Sequence, residues 1–344
     1  MDAATLPDHE ATRADIKRDG VSSARGTLAR RLENVGPLLI LALMCIVLSV
    51  IEPRFATLGN LQTVLNEAAI PLVVASGLTL VVLMGSIDLS VEGLMASCSI
   101  VVSLLVLNSS NSLDLGVAGI LVALILGALF GFANGFIHAR FALPSLMVTL
   151  GTWFVGLGLA SYLFPGRQPA VQDAGFRELA LGKVLGLSYM FWIAIVIVIA
   201  LVLMLRFTHF GRMIIAMGPG QAQLIIAGVP VNRYRIGAFT ICGTLAGLAG
   251  IMTTAQIGAG SATAGADQLF PAVSAVVIGG TLLTGGRGGI LQTVVGVLLL
   301  AVISSGLLFL GVNPYVQQAV IGIALIGIVA ATTWRARRKL AVVK

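Results

Sequence analysis

The chain has 344 residues, 58% of them hydrophobic and only 10% charged, with 41 glycines and a mean hydropathy of +1.02. Soluble domains carry about 25% charged and about 45–50% apolar residues, so a soluble enzyme and a disordered protein are both excluded. The net charge of +7 would suit a nucleic-acid partner, but its distribution along the chain assigns it to membrane topology instead.

Residues 1–34 hold six basic and six acidic groups and no apolar stretch. A cleavable signal peptide needs an apolar core of about 7–15 residues, so this segment is expected to be a disordered cytoplasmic tail. From residue 35 onward, uncharged runs follow one another. A helix needs about 20 apolar residues to cross a bilayer, and ten candidate spans result: 35–51, 68–87, 93–111, 115–137, 141–164, 184–205, 236–258, 268–284, 288–312 and 313–334. The predicted fold class is an all-α membrane protein, a polytopic helical bundle of about ten transmembrane helices. The membrane domain covers 35–334, interrupted by an internal loop at 206–235 and followed by a basic tail at 335–344.

With both termini inside, 17 Lys and Arg lie inside, and only Arg54, Arg167, Arg177 and Lys183 lie outside. Cytoplasmic loops carry such an excess, and it accounts for the basic charge without an acidic partner. Tyr162, Phe164, Tyr189 and Trp192 gather at the expected outer surface, while Tyr234 and Trp334 mark inner boundaries.

Chemistry-bearing motifs are few. The four lysines, Lys17, Lys183, Lys339 and Lys344, stand in no P-loop context, and no HExxH or GxSxG string occurs. Cys45, Cys98 and Cys242 sit inside apolar runs without CxxC spacing, and His9, His138 and His209 are scattered. No catalytic residue, cofactor site or metal site is therefore expected. Ionisable residues in spans are the default functional candidates. Here they are Glu67, Asp88, Glu92, Asp267 and Arg287, all near predicted span ends. Two readings of Asp88 stand. It caps, with Ser90, the helix that follows, or GSIDLS at 85–90 is a broken helix lining a translocation path. So few buried charges argue against an ion-coupled carrier and for a neutral substrate.

Gly127, Gly131 and Gly135 recur at i, i+4, i+8 and form a flat stripe suited to close helix packing; Gly243 and Gly247 repeat the device. Asn134, beside the stripe, must find a hydrogen-bond partner or face a wet cavity. In the 206–235 loop, Gly-Pro breaks predict a short helix, a turn at Gly218-Pro219-Gly220, a second helix and a break at Gly228–Pro230. Such a unit is either a docking knob or an interfacial helix pair.

Taken in order, several strings resemble the permease subunits of bacterial monosaccharide ABC importers of the ribose/xylose/galactose type. They are FATLGNLQTVL at 55–65, Gly77-Leu78-Thr79, GSIDLSV at 85–91, Asn134-Gly135, PSLMVTLGT at 144–152, AGVPV at 227–231 and AVVIGGTLLTGGRG at 275–288. The resemblance covers about 37–334. It implies a bacterial inner (plasma) membrane location, an ABC ATP-binding subunit on another chain, a periplasmic sugar-binding protein, and a second permease copy or related permease. Membrane lipid is the remaining partner, and no nucleic acid is implied. It also implies that 206–235 couples to the ATPase through Arg212, Gly218 and Gly228, and places Thr79, Asp88, Asn134, Thr149 and Thr152 along the translocation path. The chain departs from the usual pattern at Ser86, Glu92, Leu157, Gln223-Leu224, Ala227 and Leu269-Phe270-Pro271. Competing readings are a branched-chain amino-acid-type ABC permease, a ten-span drug/metabolite secondary transporter and a membrane-embedded enzyme.

Overall fold

The computed structural model describes residues 36–164 and 166–313, and beyond these only positions 316, 317, 319, 322 and 323. The expected tails at 1–34 and 335–344 lie outside the described residues, as does nearly all of the tenth expected span. The regular structure of the described residues is α-helical apart from a 3-10 turn, one two-stranded hairpin and two isolated β-bridges.

Helix α1 (Gly36–Ile51) is followed by a 3-10 turn at Pro53–Ala56. Next comes α2 (Leu58–Glu67), whose N-cap Thr57 accepts from the Asn60 amide. Helix α3 (Ala69–Leu83) continues at a bend of 42°. Every residue of α3 except Pro71 is buried, as expected of a helix that is apolar all round. Helix α4 (Val91–Leu105) leads to a loop held by the Asn108 side chain, which accepts from the amides of Ser110 and Asn111. Helices α5 (Val117–Phe141) and α6 (Ser145–Leu163) meet at Ala142 and Pro144, where the backbone leaves the helix.

The short α7 (Ala174–Leu181) precedes a hairpin of β1 (Lys183–Val184) and β2 (Leu187–Ser188), with Lys183 opposite Ser188. Leu185 and Gly186 both take positive φ, the two-residue turn that matches strand twist. Helix α8 (Tyr189–Phe207) is followed by α9 (His209–Ile226), α10 (Val231–Ile257), α11 (Leu269–Ile278) and α12 (Ile290–Phe309).

Five helices, α5, α6, α8, α10 and α12, are long and apolar enough to cross a membrane, and a sixth crossing results if α2 and α3 count as one bent span. Helices α1, α4 and α11 are apolar but shorter. The class expected from composition holds. The span boundaries differ at particular places. The run at 68–87 stops being helical at Leu83, because Gly85 takes φ +74 and residues 86–89 are outside any helix. The run at 268–284 stops at Ile278 and gives way to a glycine-rich loop. The run at 184–205 opens in the hairpin rather than in a helix.

Helix α10 occupies the centre, against α3, α4 and α5. The two glycine stripes meet there. A Cβ on Gly131 would lie 2.3 Å from the Phe239 carbonyl oxygen, one on Gly127 2.6 Å from that of Gly243, and one on Gly243 2.5 Å from that of Gly127. Backbone therefore rests on backbone along the α5–α10 seam, the approach that small residues permit between helices in lipid.

Candidate functional site

The break between α3 and α4 carries a buried polar cluster. Asp88 is 1% exposed. Its Oδ1 accepts from the Ser90 amide at 2.9 Å and from the Ser90 hydroxyl at 2.6 Å. Asn134, on α5, donates through Nδ2 to Ser90 Oγ at 2.8 Å. Ser90 is thus the hub joining Asp88 to Asn134, and it makes no side-chain cap to α4. The capping reading of the Asp88–Ser90 pair is corrected accordingly: the hydroxyl that would cap the helix is committed to the carboxylate. The amide oxygen of Asn134 is buried without a hydrogen-bond partner, and the Cys242 thiol on α10 lies against the Asp88 carboxylate.

Thr149 lies close to this break. Ser145, at the start of its helix, accepts from the Ile87 amide at 3.1 Å, and the Thr149 hydroxyl donates to the Ser145 carbonyl at 2.9 Å. Thr152 is half-buried and bonds back onto its own helix, to the carbonyls of Val148 and Thr149. Thr79 stands elsewhere, fully buried in α3. Its hydroxyl meets that of Thr293 on α12 at 2.7 Å and also donates to the Ala75 carbonyl. Of the five expected path residues, the structure joins Asp88 and Asn134 through Ser90, sets Thr149 beside them, and leaves Thr79 and Thr152 apart.

The 206–235 segment is dominated by α9. Thr208 caps it by accepting from the Gly211 amide. The predicted turn at 218–220 is a kink within α9, with Gly220 at φ −129, ψ 27 just after Pro219. Proline removes the donor for one intrahelical bond, and two helical stretches meet across non-helical Gly220, in the order helix, break, helix that the Gly-Pro pattern predicts. The helix ends in a Schellman turn. Gly228 takes φ +75, its amide donates to the Ile225 carbonyl at 3.0 Å, and the Val229 amide donates to that of Leu224 at 2.9 Å. Nothing lies within 4 Å of a Cβ built on Gly228. The requirement there is backbone conformation, not space. Arg212 is exposed on the same helix.

Gly218 is different. A Cβ there would lie 2.2 Å from the Gly286 amide nitrogen and 2.5 Å from the Gly285 carbonyl carbon. The Gly286 amide in turn donates to the Leu83 carbonyl at 2.9 Å, at the end of α3. Three segments, the middle of α9, the 279–289 loop and the break after α3, therefore touch through their backbones. That loop is fastened at its far end, where Thr281 Oγ1 accepts from the Gly289 amide.

Sequence reasoning missed Thr293 as the partner of Thr79. It also missed the buried trio in which the hydroxyls of Ser99 and Thr254 meet at 2.7 Å and Ser99 Oγ accepts from the Ser261 amide. Isolated Ser and Thr in apolar runs carry no local signal. The loop that α9 rests on was missed as well, since GGTLLT reads as the end of the span at 268–284 although the helix stops at Ile278. Among the described residues no group of three or more His, Cys, Asp or Glu could hold a metal ion.

The family described as the branched-chain amino acid transport system / permease component matches residues 60–329. The ribose import permease protein RbsC of Escherichia coli (strain K12) is 34% identical over 281 residues, 80% of this chain and 85% of its own length. The L-arabinose ABC transporter permease protein AraH of Azospirillum brasilense is 32% identical, covering 80% of each chain. RbsC of Bacillus subtilis (strain 168) is 31% identical over 78% of this chain and 83% of its own. No solved structure matches. With a family match running from α2 past α12 and relatives aligned over most of their length, this chain belongs to the permease-component family of ABC transporters.

Proposed function

We propose that this chain is the membrane-spanning permease subunit of an ATP-driven ABC importer that translocates a monosaccharide or related polyol delivered by a periplasmic binding protein. The observation that carries the reading is the similarity, over about four-fifths of the chain, to permeases named for ribose and arabinose. Those names favour a sugar over a branched-chain amino acid, although the family description carries the latter. The scarcity of buried charge agrees with a neutral cargo.

In this reading the ATP-hydrolysing subunit is a separate chain and docks on α9. The exposed Arg212, Ile225 and Ile226 and the fixed turn at Gly228 support that placement. Two permeases, identical or related, enclose the path. The bundle has ten spans with both termini cytoplasmic, as the 17-to-4 division of Lys and Arg suggests. The contact of Gly218 with Gly286 gives motion at α9 a rigid route to the Asp88–Ser90–Asn134 break.

The test is reconstitution of the permease with its ATPase and binding protein in vesicles. ATP-dependent uptake of ribose, arabinose or xylose is expected; uptake of leucine and of no sugar sinks the reading. Reporter fusions at residue 20 and after Lys344 should both report the cytoplasm. Gly228→Glu should insert normally yet lose ATPase co-purification or coupling, with Ala227→Ser as a mild control. Normal assembly and transport by Gly228→Glu would remove α9 from the docking role.

A further inference from the structure

Four of the five expected path residues, Thr79, Asp88, Asn134 and Thr149, are buried inside this single chain. None can touch a solute without the core opening. A different place on the surface is already open. A cavity of about 630 Å³ lies between α2 and the last turns of α12, within the range of about 300–1,000 Å³ usual for small-molecule sites. Its polar lining includes Arg54, Asn60, Thr63, Glu67 and Ser304, with the Phe309 ring on one wall.

The outward surfaces elsewhere are of another kind. Ile125, Leu129 and Phe132 on α5, and Met147 and Phe154 on α6, are exposed and apolar, as lipid contact requires. Hydrocarbon offers no hydrogen bonds to polar side chains, so such groups face water or protein. The polar groups of the α2–α12 face are therefore turned to water or to protein rather than to lipid.

Its position is equally informative. Helix α12 has 20 residues, about 30 Å at the helical rise. It starts at the loop that rests on α9 and ends beside this cavity. The cavity and α9 are at opposite ends of the bundle.

Resting on the importer reading, the geometry points to the α2–α12 cavity as the outer vestibule of the path, where a neutral polyhydroxylated solute is first held. Hydroxyl groups donate and accept at once, and the lining supplies both kinds of partner: donors at Arg54, acceptors at Glu67 and at Thr63, whose own proton goes to the Gly59 carbonyl, and both at Ser304. Arg54 also ion-pairs with Glu52 at 3.9 Å. The Phe309 ring offers an apolar wall to the C–H face of a sugar ring. Asn60 has a structural part instead, since its Nδ2 donates to the Phe55 carbonyl and its Oδ1 accepts from Ser305 on α12 at 2.9 Å.

The test uses the complete importer in right-side-out vesicles, in a Cys45→Ala background because Cys98 and Cys242 are buried. Thr63→Cys and Ser304→Cys place a thiol on opposite walls, and Leu129→Cys places one on α5. A charged, membrane-impermeant methanethiosulfonate added outside should modify both vestibule thiols and spare Leu129→Cys. Modification should abolish uptake, and excess transported sugar should slow it. If one variant does not assemble, the other wall decides. Modification with uptake unchanged, or no modification at an assembled vestibule variant, overturns the vestibule. A Cys45→Ala parent that takes up leucine and no sugar instead overturns the importer reading, so the two failures are distinct.

Discussion

The α5–α10 seam and the α2–α12 seam are closed by opposite means. At the first, glycine faces bring backbones together with no side chain between them, Gly127 and Gly131 against Phe239 and Gly243. At the second, side chains do the joining: Asn60 bonds Ser305, and the rings of Phe55 and Phe309 meet edge to face at 6.3 Å. A backbone seam leaves no rotamer to turn, so the two helices move as one body. A side-chain seam can loosen one bond at a time, and it is the one beside the open cavity.

The sharpest break of this contrast is Gly131→Leu. Its Cβ alone would lie 2.3 Å from the Phe239 carbonyl oxygen, so the cost should exceed the roughly 1–3 kcal/mol typical of overpacking. No monodisperse protein is expected in detergent by size-exclusion chromatography. The same helix position class on α6 calibrates it, since nothing lies within 4 Å of a Cβ on Gly151; Gly151→Ala should stay within about 0.5 kcal/mol of the parent. A well-behaved Gly131→Leu would mean that the seam is not closed by backbone contact.

Gly218→Ala carries the comparison to the third backbone contact. Its methyl would meet the Gly286 amide, yet α9 lies at the edge of the bundle rather than in its centre. The expected result is an assembled complex that hydrolyses ATP at a normal rate with uptake reduced about tenfold, a loss of about 1.4 kcal/mol in coupling. Parallel loss of folding and transport would show that the contact only holds the bundle together.

Ser305→Ala probes the side-chain seam. It leaves the buried Asn60 Oδ1 without its partner, which should lower stability by about 1–3 kcal/mol, read as a reduced thermal midpoint, while the fold persists. Aggregation like that of Gly131→Leu would erase the distinction between the seams. The smallest effect concerns Thr79 and Thr293. Thr79→Val should cost about 1 kcal/mol, and the double change with Thr293→Val should cost less than the two single losses added. Strict additivity would show that the two hydroxyls are not coupled.

Much of this architecture was legible in the residues. The stripes at Gly127, Gly131 and Gly135 and at Gly243 and Gly247 announced a close contact, because only glycine leaves room for one backbone on another. The lateral order of apolar runs located every long helix. The ends of helices were less legible, because Gly85 and the 279–289 loop interrupt runs that remain apolar throughout; hydropathy does not register a positive φ. The polar sites divided along similar lines. Asp88 and Asn134 stood out because each is costly to bury alone, yet the hub that joins them, Ser90, looked like a helix cap. Thr79–Thr293 and Ser99–Thr254 pair residues far apart in sequence, and a lone hydroxyl in an apolar run has no period to betray its partner. Of the vestibule side chains, Glu67 stood out as an ionisable group near a span end, whereas Thr63 on the same short helix α2 and Ser304 on α12 carried no local signal.

The α5–α10 seam also sets a problem of timing. Gly131 and Gly243, which face each other in the finished bundle, are separated by about a hundred residues. At roughly 5–20 residues per second of synthesis, α5 emerges several seconds before α10 exists. For that interval its bare glycine face has no partner, and the helices that intervene, α6 to α9, are threaded past it. An early occupant must leave when α10 arrives, whether lipid, a neighbouring helix or an insertion factor. Assembly of this protein is therefore governed by an exchange at one helix face, and a ribosomal pause after α5 should fall harder on yield than one after α10.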